Sequence, residues 1–319
     1  MRRWAARGVF LLVVIQASAA SAREELPAHV TESSRLTGQE MEILLSRDMR
    51  IEQREPLLTK LVANAQAGDG SAAFQLGALY RSGRDHPARL VDRDLDTARY
   101  WLEKCVEAKE CPLWALASLA ELGLAAGDAK AAMQWAQAWV VLERELDSRS
   151  RAGDRYRQGK YAAYKHTSYQ AYLLKRCYDA MPVTTDPDAQ GMAWFNELRA
   201  RKGAQLDRMF FRTIDRLEAP ASGQDLQISA QNQRSQAVYG NVMQPSDPAF
   251  GLYLYKGDPE GGPAERVRLI EAWPTPKAAH GLDLLARQVR MKPYESDGPR
   301  YTELPISYNV WDYSLVPEK

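Results

Sequence analysis

Apolar residues three and four positions apart recur through the first two thirds of the chain. From Gln39 to about Leu217, alanine and leucine are frequent, glycine and proline are rare, and the short turns contain glycine. This spacing places apolar side chains on one face of a helix. We therefore predict an all-α region over residues 39–218.

A repeat of paired helices lies inside this region. The two copies are separated by a spacing that falls within the range of helical-repeat proteins, and the first copy carries the longer loop. Such units stack and bury their faces against each other. The recurring residues are Leu79, Gly83, Ala98 and Trp101 in the first copy and Leu119, Gly123, Ala132 and Trp135 in the second.

The pattern changes after Leu217. The stretch APASGQ at 219–224 predicts a linker, because proline, glycine and small residues interrupt the helical spacing. Two alternating segments, AFGLYLYKG and ERVRLIEAW, flank the glycine-rich GDPEGGP and predict a hairpin. A helix from about Lys277 to Met291 and a last strand in ELPISYNVWDY follow. Residues 225–319 are therefore predicted to form a small α+β domain with an antiparallel sheet and the order β-β-α-β.

The N-terminus has the order of a secretory signal. An arginine-rich start, MRRWAARG, precedes the apolar run Val9 to Ile15 and the small-residue stretch ASAASA. We predict a signal peptide over residues 1–22, a flexible segment over 23–38 and a periplasmic location. The alternative is an uncleaved anchor in the inner membrane, although the apolar run is shorter than the ~20 residues that span a bilayer.

Three cysteines gain significance if the protein is exported, because disulfides persist in oxidising compartments. Cys105 and Cys111 bracket a predicted turn between two helices and are candidates for a disulfide, which would leave Cys177 as a free thiol. The alternative, in which all three are small buried residues, stays open.

Charge and motifs exclude several functional classes. The 42 Lys and Arg residues nearly balance the 41 Asp and Glu residues, so we expect no nucleic-acid partner. The four histidines have no second ligand at metal spacing, and no nucleophile motif of a known hydrolase occurs. We therefore predict no catalytic residues, no metal and no cofactor, and a protein that is not an enzyme.

The first helix pair resembles the Sel-like repeat, a relative of the tetratricopeptide repeat. Small residues at the matching positions allow close helix approach, and the larger residues fill the space between the helices. The matching residues are Ala73, Leu76, Gly77, Tyr80, Gly83, Ala98 and Trp101.

The last seventy or so residues resemble the C-terminal domain of TonB-type energy transducers. RVRLIEAWP is similar to the second strand of that family, LDLLARQVRMKPYESDG to its helix and the following turn, and LPISYNV to its last strand. In that family the last strand lies at a sheet edge and accepts an extended peptide from an outer-membrane transporter.

The resemblance implies a peptide-binding strand here as well. Unpaired main-chain groups on an edge strand provide affinity in strand addition, and alternate side chains provide selectivity. The alternative is that this strand only closes the sheet, with its edge blocked. The strand residues implied by the resemblance are Ser307, Tyr308, Asn309, Val310 and Trp311.

Two functional hypotheses follow from these observations. The first is a periplasmic, non-catalytic adaptor whose helical repeats bind one protein partner while its C-terminal sheet edge binds an extended peptide. The second is a divergent TonB-like energy transducer with an uncleaved N-terminal anchor, and only this one requires membrane contact. In both, the expected partner is an outer-membrane transporter or another envelope protein.

Overall fold

The computed structural model describes residues 35–152, 167–218, 248–278, 282–283, 286–287, 289–295 and 298–308. Eight helices occupy the N-terminal part of these residues and a small antiparallel sheet follows, so the α-then-α+β arrangement is confirmed. The helices are α1 (Gly38–Leu45), α2 (Ile51–Gln66), α3 (Gly70–Ser82), α4 (Leu95–Glu107), α5 (Trp114–Ala125), α6 (Ala129–Ala152), α7 (Thr167–Asp179) and α8 (Pro187–Glu218).

Aspartates begin the helices of the first pair. The Asp69 carboxylate accepts hydrogen bonds from the main-chain N–H groups of Ser71 and Ala72 at 2.9 and 3.2 Å, and α3 starts there. Asp94 caps α4 in the same way. An acidic N-cap satisfies N–H groups that have no partner within the helix.

The two predicted helix pairs are present as α3–α4 and α5–α6. Gly77 lies where α3 crosses α4, and a Cβ atom at this position would come within 2.5 Å of Leu102 Cγ. The glycines aligned by the repeat are not equivalent, however. Gly83 ends α3 with φ +55°, whereas Gly123 lies inside α5 against Ala132, and Gly127 takes the positive φ of +70°.

The helix before the first pair, α2, begins at Ile51 and carries a proline, Pro56, as its sixth residue. This position lies beyond the first turn, so the missing N–H group removes one hydrogen bond from inside the helix.

Three strands form the main sheet in the order β3-β1-β5, and both neighbouring pairs are antiparallel. The predicted hairpin is therefore correct, and the turn between its arms is closed by a 2.9 Å bond from Gly261 N–H to Asp258 C=O. A register shift opposite Leu252 and Tyr253 marks a β-bulge in β3. The strands are β1 (Ala249–Gly257), β2 (Gly262–Pro263), β3 (Arg266–Trp273), β4 (Arg290–Met291) and β5 (Arg300–Tyr308).

The helix predicted from Lys277 to Met291 does not extend to its predicted end. Its last two positions, Arg290 and Met291, form β4 and pair with β2. Helical residues occur at 282–283 and 286, and Arg287 N–H donates to Asp283 C=O at 3.1 Å. Lys277 and Ala278 belong to a short 3₁₀ turn, Pro276–Ala278, and Val289 has no regular structure. The other positions of the predicted helix, 279–281, 284–285 and 288, lie outside the described residues.

The sheet is buried on both faces. Phe250, Leu252 and Leu254 of β1 belong to the same hydrophobic cluster as the helices. The alternate residues Tyr253 and Tyr255 belong to a second cluster. That cluster contains Leu282, Ala286 and Val289, so the segment after β3 covers the opposite face of the sheet.

The chain termini and the predicted linker fall largely outside the described residues. This holds for the predicted signal peptide over 1–22 and the linker over 219–224. The described part begins just before α1, where Arg35 pairs with Asp69 at 3.0 Å and with Glu110 at 2.9 Å. Among the described helices, none combines the length and the hydropathy needed to cross a membrane.

Candidate functional site

The predicted peptide-binding strand begins at the end of β5. Ser307 and Tyr308 are its last two residues, and they pair with Phe250 and Ala249 of β1. Asn309, Val310 and Trp311 lie outside the described residues. In the sheet that the described residues form, β5 has β1 as its single neighbour and occupies one edge.

The direction of the β5 main-chain groups follows from the hairpin. Lys256 C=O accepts a 3.0 Å hydrogen bond from Glu265 N–H, so the main-chain groups of Lys256 face β3. Successive residues of a strand alternate in direction. Leu252 and Leu254 therefore also face β3, and their partners on β5, Pro305 and Glu303, direct their main-chain groups away from β1.

The place of Pro305 agrees with this alternation. Proline has no N–H group and is therefore found on edge strands where that position does not contribute to the ladder. Pro305 lies inside β5 opposite Leu252 of β1, and the strand continues on both sides of it. The outward-facing main-chain groups of β5 are those of Tyr301, Glu303, Pro305 and Ser307.

The opposite edge of the sheet, at β3, is covered by the chain itself. Arg81 of α3 donates hydrogen bonds to the main-chain oxygens of Ala272 and Pro274. The buried ring of His86 lies against the backbone of Leu269 and Ile270. Exposed edges are points where another strand can add, and covering them prevents it.

A buried charge pair joins α3 to the sheet. Arg81 contacts both carboxylate oxygens of Glu271, at 2.7 and 3.1 Å, and Glu271 is fully buried. Burial by itself would lower the pKa of Arg81, but the charge of Glu271 and its hydrogen bonds outweigh burial and raise it. Ser118 extends the cluster by accepting a 2.9 Å hydrogen bond from the Trp273 indole.

A second buried carboxylate lies next to this pair. Glu121 accepts hydrogen bonds from Tyr169 and Arg176, both at 2.6 Å. Burial and the Glu121 charge raise the pKa of Tyr169 well above its usual value. No motif or spacing in the sequence predicted this buried cluster. The signal available was Glu271, a lone acid within the apolar strand RLIEAW.

The residues that resemble the Sel-like repeat form the interior of the first helix pair. Ala73, Leu76, Ala98 and Trp101 are all buried, and Tyr80 is partly buried. These residues therefore stabilise the helix pair and present little surface to a partner.

A disulfide joins Cys105 at the end of α4 to Cys111 before α5, with 5.2 Å between the Cα atoms. The prediction that these two cysteines form a disulfide is therefore correct. Cys177 is free and buried in α7, and burial raises the pKa of its thiol to about 12. This thiol is un-ionised near neutral pH, and thiols in that form are poor nucleophiles.

A large cleft of about 750 Å³ opens between the helix pairs and α8. Leu119, Trp135 and Leu198 form its apolar lining, and charged residues surround them. A contact between Lys130 and Glu197, at 2.5 Å, bridges α6 and α8 beside it. A cleft of this size accommodates a side chain or a short peptide segment.

The described residues contain no group of three His, Cys, Asp or Glu side chains arranged to hold a metal ion. Of the four histidines, His86 is described and buried, whereas His29, His166 and His280 lie outside the described residues.

No family model matches this chain, and neither does any curated protein or solved structure. The resemblances to the Sel-like repeat and to the TonB C-terminal domain therefore remain predictions from the sequence.

Proposed function

We propose that this protein is an exported, non-catalytic adaptor of the periplasm that binds an extended peptide along β5 by strand addition. The observation that carries the proposal is the difference between the two sheet edges. The edge at β3 is covered by Arg81 and His86, whereas β5 has β1 as its single neighbour in the described sheet. The expected peptide belongs to an outer-membrane transporter or another envelope protein.

The finer fold assignment belongs to the same proposal. It comprises a stack of Sel-like helix pairs followed by a β-β-α-β unit resembling the C-terminal domain of TonB-type transducers. The hairpin, the edge position of β5 and the packing of Leu282, Ala286 and Val289 on the sheet support this assignment.

Affinity at β5 would come mainly from the main chain. Glu303 offers an outward N–H group and an outward C=O group, whereas Pro305 offers a C=O group alone. An incoming strand would therefore pair on both sides of Pro305, and its C=O group opposite Pro305 would have no N–H donor from β5. Because both sheet faces are already buried, the peptide would contact the edge and not a face.

The helical part would bind a second partner in the proposed adaptor. Its cleft between the helix pairs and α8 combines the nearly buried Trp135 with the charged residues Arg99, Glu103 and Arg201. An apolar centre with a charged rim is typical of protein-binding surfaces.

Proline substitution at an outward position tests strand addition. Glu303→Pro removes an outward N–H donor and leaves the ladder to β1 intact, whereas Tyr308→Pro would remove a main-chain donor that faces β1. The matched control is Glu303→Ala, which also removes the weak 3.5 Å side-chain contact with Gln75 but keeps the N–H group.

Peptides selected from a random display library on the full-length protein, and then labelled with fluorescein, are the probe. We expect their affinity, measured by fluorescence anisotropy, to fall at least ~10-fold for Glu303→Pro because one hydrogen bond and strand access are lost. Glu303→Ala should bind as the wild type does. Equal binding by the proline variant, or a library that yields no binder, would contradict the proposal.

A further inference from the structure

A second, smaller cleft lies beside β3, on the opposite side of the sheet from the β5 edge. Its volume is about 290 Å³, close to the lower limit for ligand pockets. Its walls come from the end of α1, the loop around His86, β3 and the residues Asp283 and Arg287. Four arginines line it: Arg47, Arg89, Arg268 and Arg287.

These arginines come from four separate parts of the chain and most of them lack a counterion. In the part of the chain that the structure describes, the guanidinium groups of Arg47, Arg89 and Arg287 make no hydrogen bond or ion pair. Arg268 donates to Ser46 Oγ at 3.0 Å, while its buried Nε has no hydrogen-bond partner. Arg47, Arg89 and Arg287 are exposed at the cleft, so their guanidinium groups are accessible to an anion that enters it.

The acidic residues of the cleft offset these arginines only in part. Asp283 accepts a hydrogen bond from the buried Tyr253 hydroxyl. Asp48 is 86% exposed and lies 4.0 Å from Arg268, and Asp85 is exposed as well. Four arginines against three aspartates leave a net charge of +1 on the lining.

A fifth cation lies beneath the loop. The buried Arg54 donates to the main-chain oxygens of Leu44, at 3.1 Å, and Ala88. Both partners are neutral, so the positive charge of Arg54 adds to the field in the cleft.

The loop is held in one conformation before any ligand arrives. Ala88 N–H donates to His86 Nδ1 at 3.0 Å, and Arg89 N–H donates to His86 C=O at 2.9 Å. Arg89 has φ +50°, which is uncommon for a residue other than glycine, and this conformation brings its side chain to the cleft. A preorganised loop reduces the entropy lost on binding.

We propose that this cleft binds a small anion with two or more charged oxygens, of the phosphate or dicarboxylate class. Guanidinium groups match both classes because their paired N–H groups donate to two oxygens at once. His86 is a positioning residue for the loop and does not itself contact the anion. The inference is independent of the peptide-binding proposal, since the cleft and the β5 edge share no residue.

Isothermal titration calorimetry of the full-length protein with inorganic phosphate, and separately with the dicarboxylate succinate, tests the site at low ionic strength. We expect at least one of the two anions to bind, and the anion that binds more tightly identifies the class of ligand. The double variant Arg89→Asn with Arg287→Gln should weaken binding at least ~10-fold, because two charge-assisted contacts are lost. Asparagine tolerates the positive φ of residue 89.

Arg212→Gln is the matched control, because Arg212 is an exposed arginine on α8 far from the cleft in the fold. It should bind the anion as the wild type does. The single variant Arg287→Gln provides a second measurement if the double variant is unstable. The proposal is overturned if neither anion releases heat beyond that of a sodium chloride titration, or if the Arg287 and double variants bind with unchanged affinity.

Discussion

His86 illustrates how burial alters a single residue. Burial lowers the pKa of His86 to about 4, although contacts with the backbone of Ile270 and Leu269 oppose the shift. In the unfolded chain a histidine titrates near ~6.5. The folded state therefore resists protonation while the unfolded state accepts a proton, so stability is fully present above pH ~6.5 and falls as the pH decreases toward about 4.

We predict that acidification lowers the stability of the wild type more than that of the His86→Gln variant. Between pH 7 and pH 5, the free energy of unfolding should fall by about 2 kcal/mol more in the wild type, from roughly 1.4 kcal/mol per pH unit below ~6.5. Urea denaturation at both pH values measures the difference.

The comparison isolates the histidine, because every carboxylate is present in both proteins. Glu40, Glu42 and Glu107 have lowered pKa values, so their contributions are lost mostly below the ~4.3 at which an unfolded glutamate titrates. The remaining histidines titrate in both proteins and cancel in the comparison. Equal pH dependence in the two proteins would show that His86 is not the buried neutral group described here.

The α3–α4 pair depends on how closely two helices approach. Gly77 allows α3 to contact α4, since an added methyl group would come within 2.5 Å of Leu102 Cγ and 3.3 Å of Ala98 C=O. Gly203 lies inside α8 in an ordinary environment, where the nearest atom to an added Cβ is Arg199 Cγ at 3.7 Å. The same substitution should therefore have opposite effects at the two positions.

We predict that Gly77→Ala lowers the free energy of unfolding by about 1–3 kcal/mol, because it overpacks the interface between the helices. Gly203→Ala should raise it by up to ~1 kcal/mol, because alanine favours the helix and meets no obstacle. Chemical denaturation followed by circular dichroism measures both. A stabilising Gly77→Ala would mean that the two helices are not in close contact.

The helices and the sheet share one core across a large separation in sequence. Phe250 of β1 stacks on Trp273 at 4.5 Å between ring centroids and also contacts Trp114 of α5 at 5.4 Å. Arg81 and Glu271 cross the same interface as a buried ion pair. Because neither part buries this surface alone, we expect the described helices and sheet to unfold together.

We predict that Glu271→Gln lowers the free energy of unfolding by about 3 kcal/mol, because Arg81 would keep a buried charge without its counterion. The exposed pair between Arg84 and Asp92 supplies the control, and Arg84→Gln should leave stability close to that of the wild type, because solvent screens this pair. Urea denaturation should be followed in parallel by far-ultraviolet circular dichroism and by tryptophan fluorescence.

The two signals weight the molecule differently. The helices dominate circular dichroism, whereas the fluorescence comes from Trp273 of the sheet together with Trp101, Trp114, Trp135, Trp139 and Trp194 of the helices. Coincident transitions are expected for the wild type. Two separated transitions, or a Glu271→Gln variant as stable as the wild type, would contradict the shared core.

Much of the fold was predictable from the sequence because its signals are local. Helical spacing located the α3–α4 and α5–α6 pairs, and alternation with a glycine-rich turn located the β1–β3 hairpin. The Cys105–Cys111 disulfide was one of two open alternatives. It could be predicted because the two cysteines are close together in the sequence. The helix predicted to reach Met291 failed at its end, because pairing with β2 overrode the helical spacing there.

The sites depended on contacts that no local pattern encodes. Arg81 and Glu271 are 190 residues apart, and the Arg-lined cleft combines four segments that the sequence separates. The covered edge of the sheet is likewise set by tertiary packing, because α3 and the His86 loop pack on β3. The sequence by itself determined the elements, since their periodicity follows from backbone geometry. The tertiary structure alone decided which charges are buried together, which sheet edge is left uncovered in the described sheet, and which arginines line one cleft.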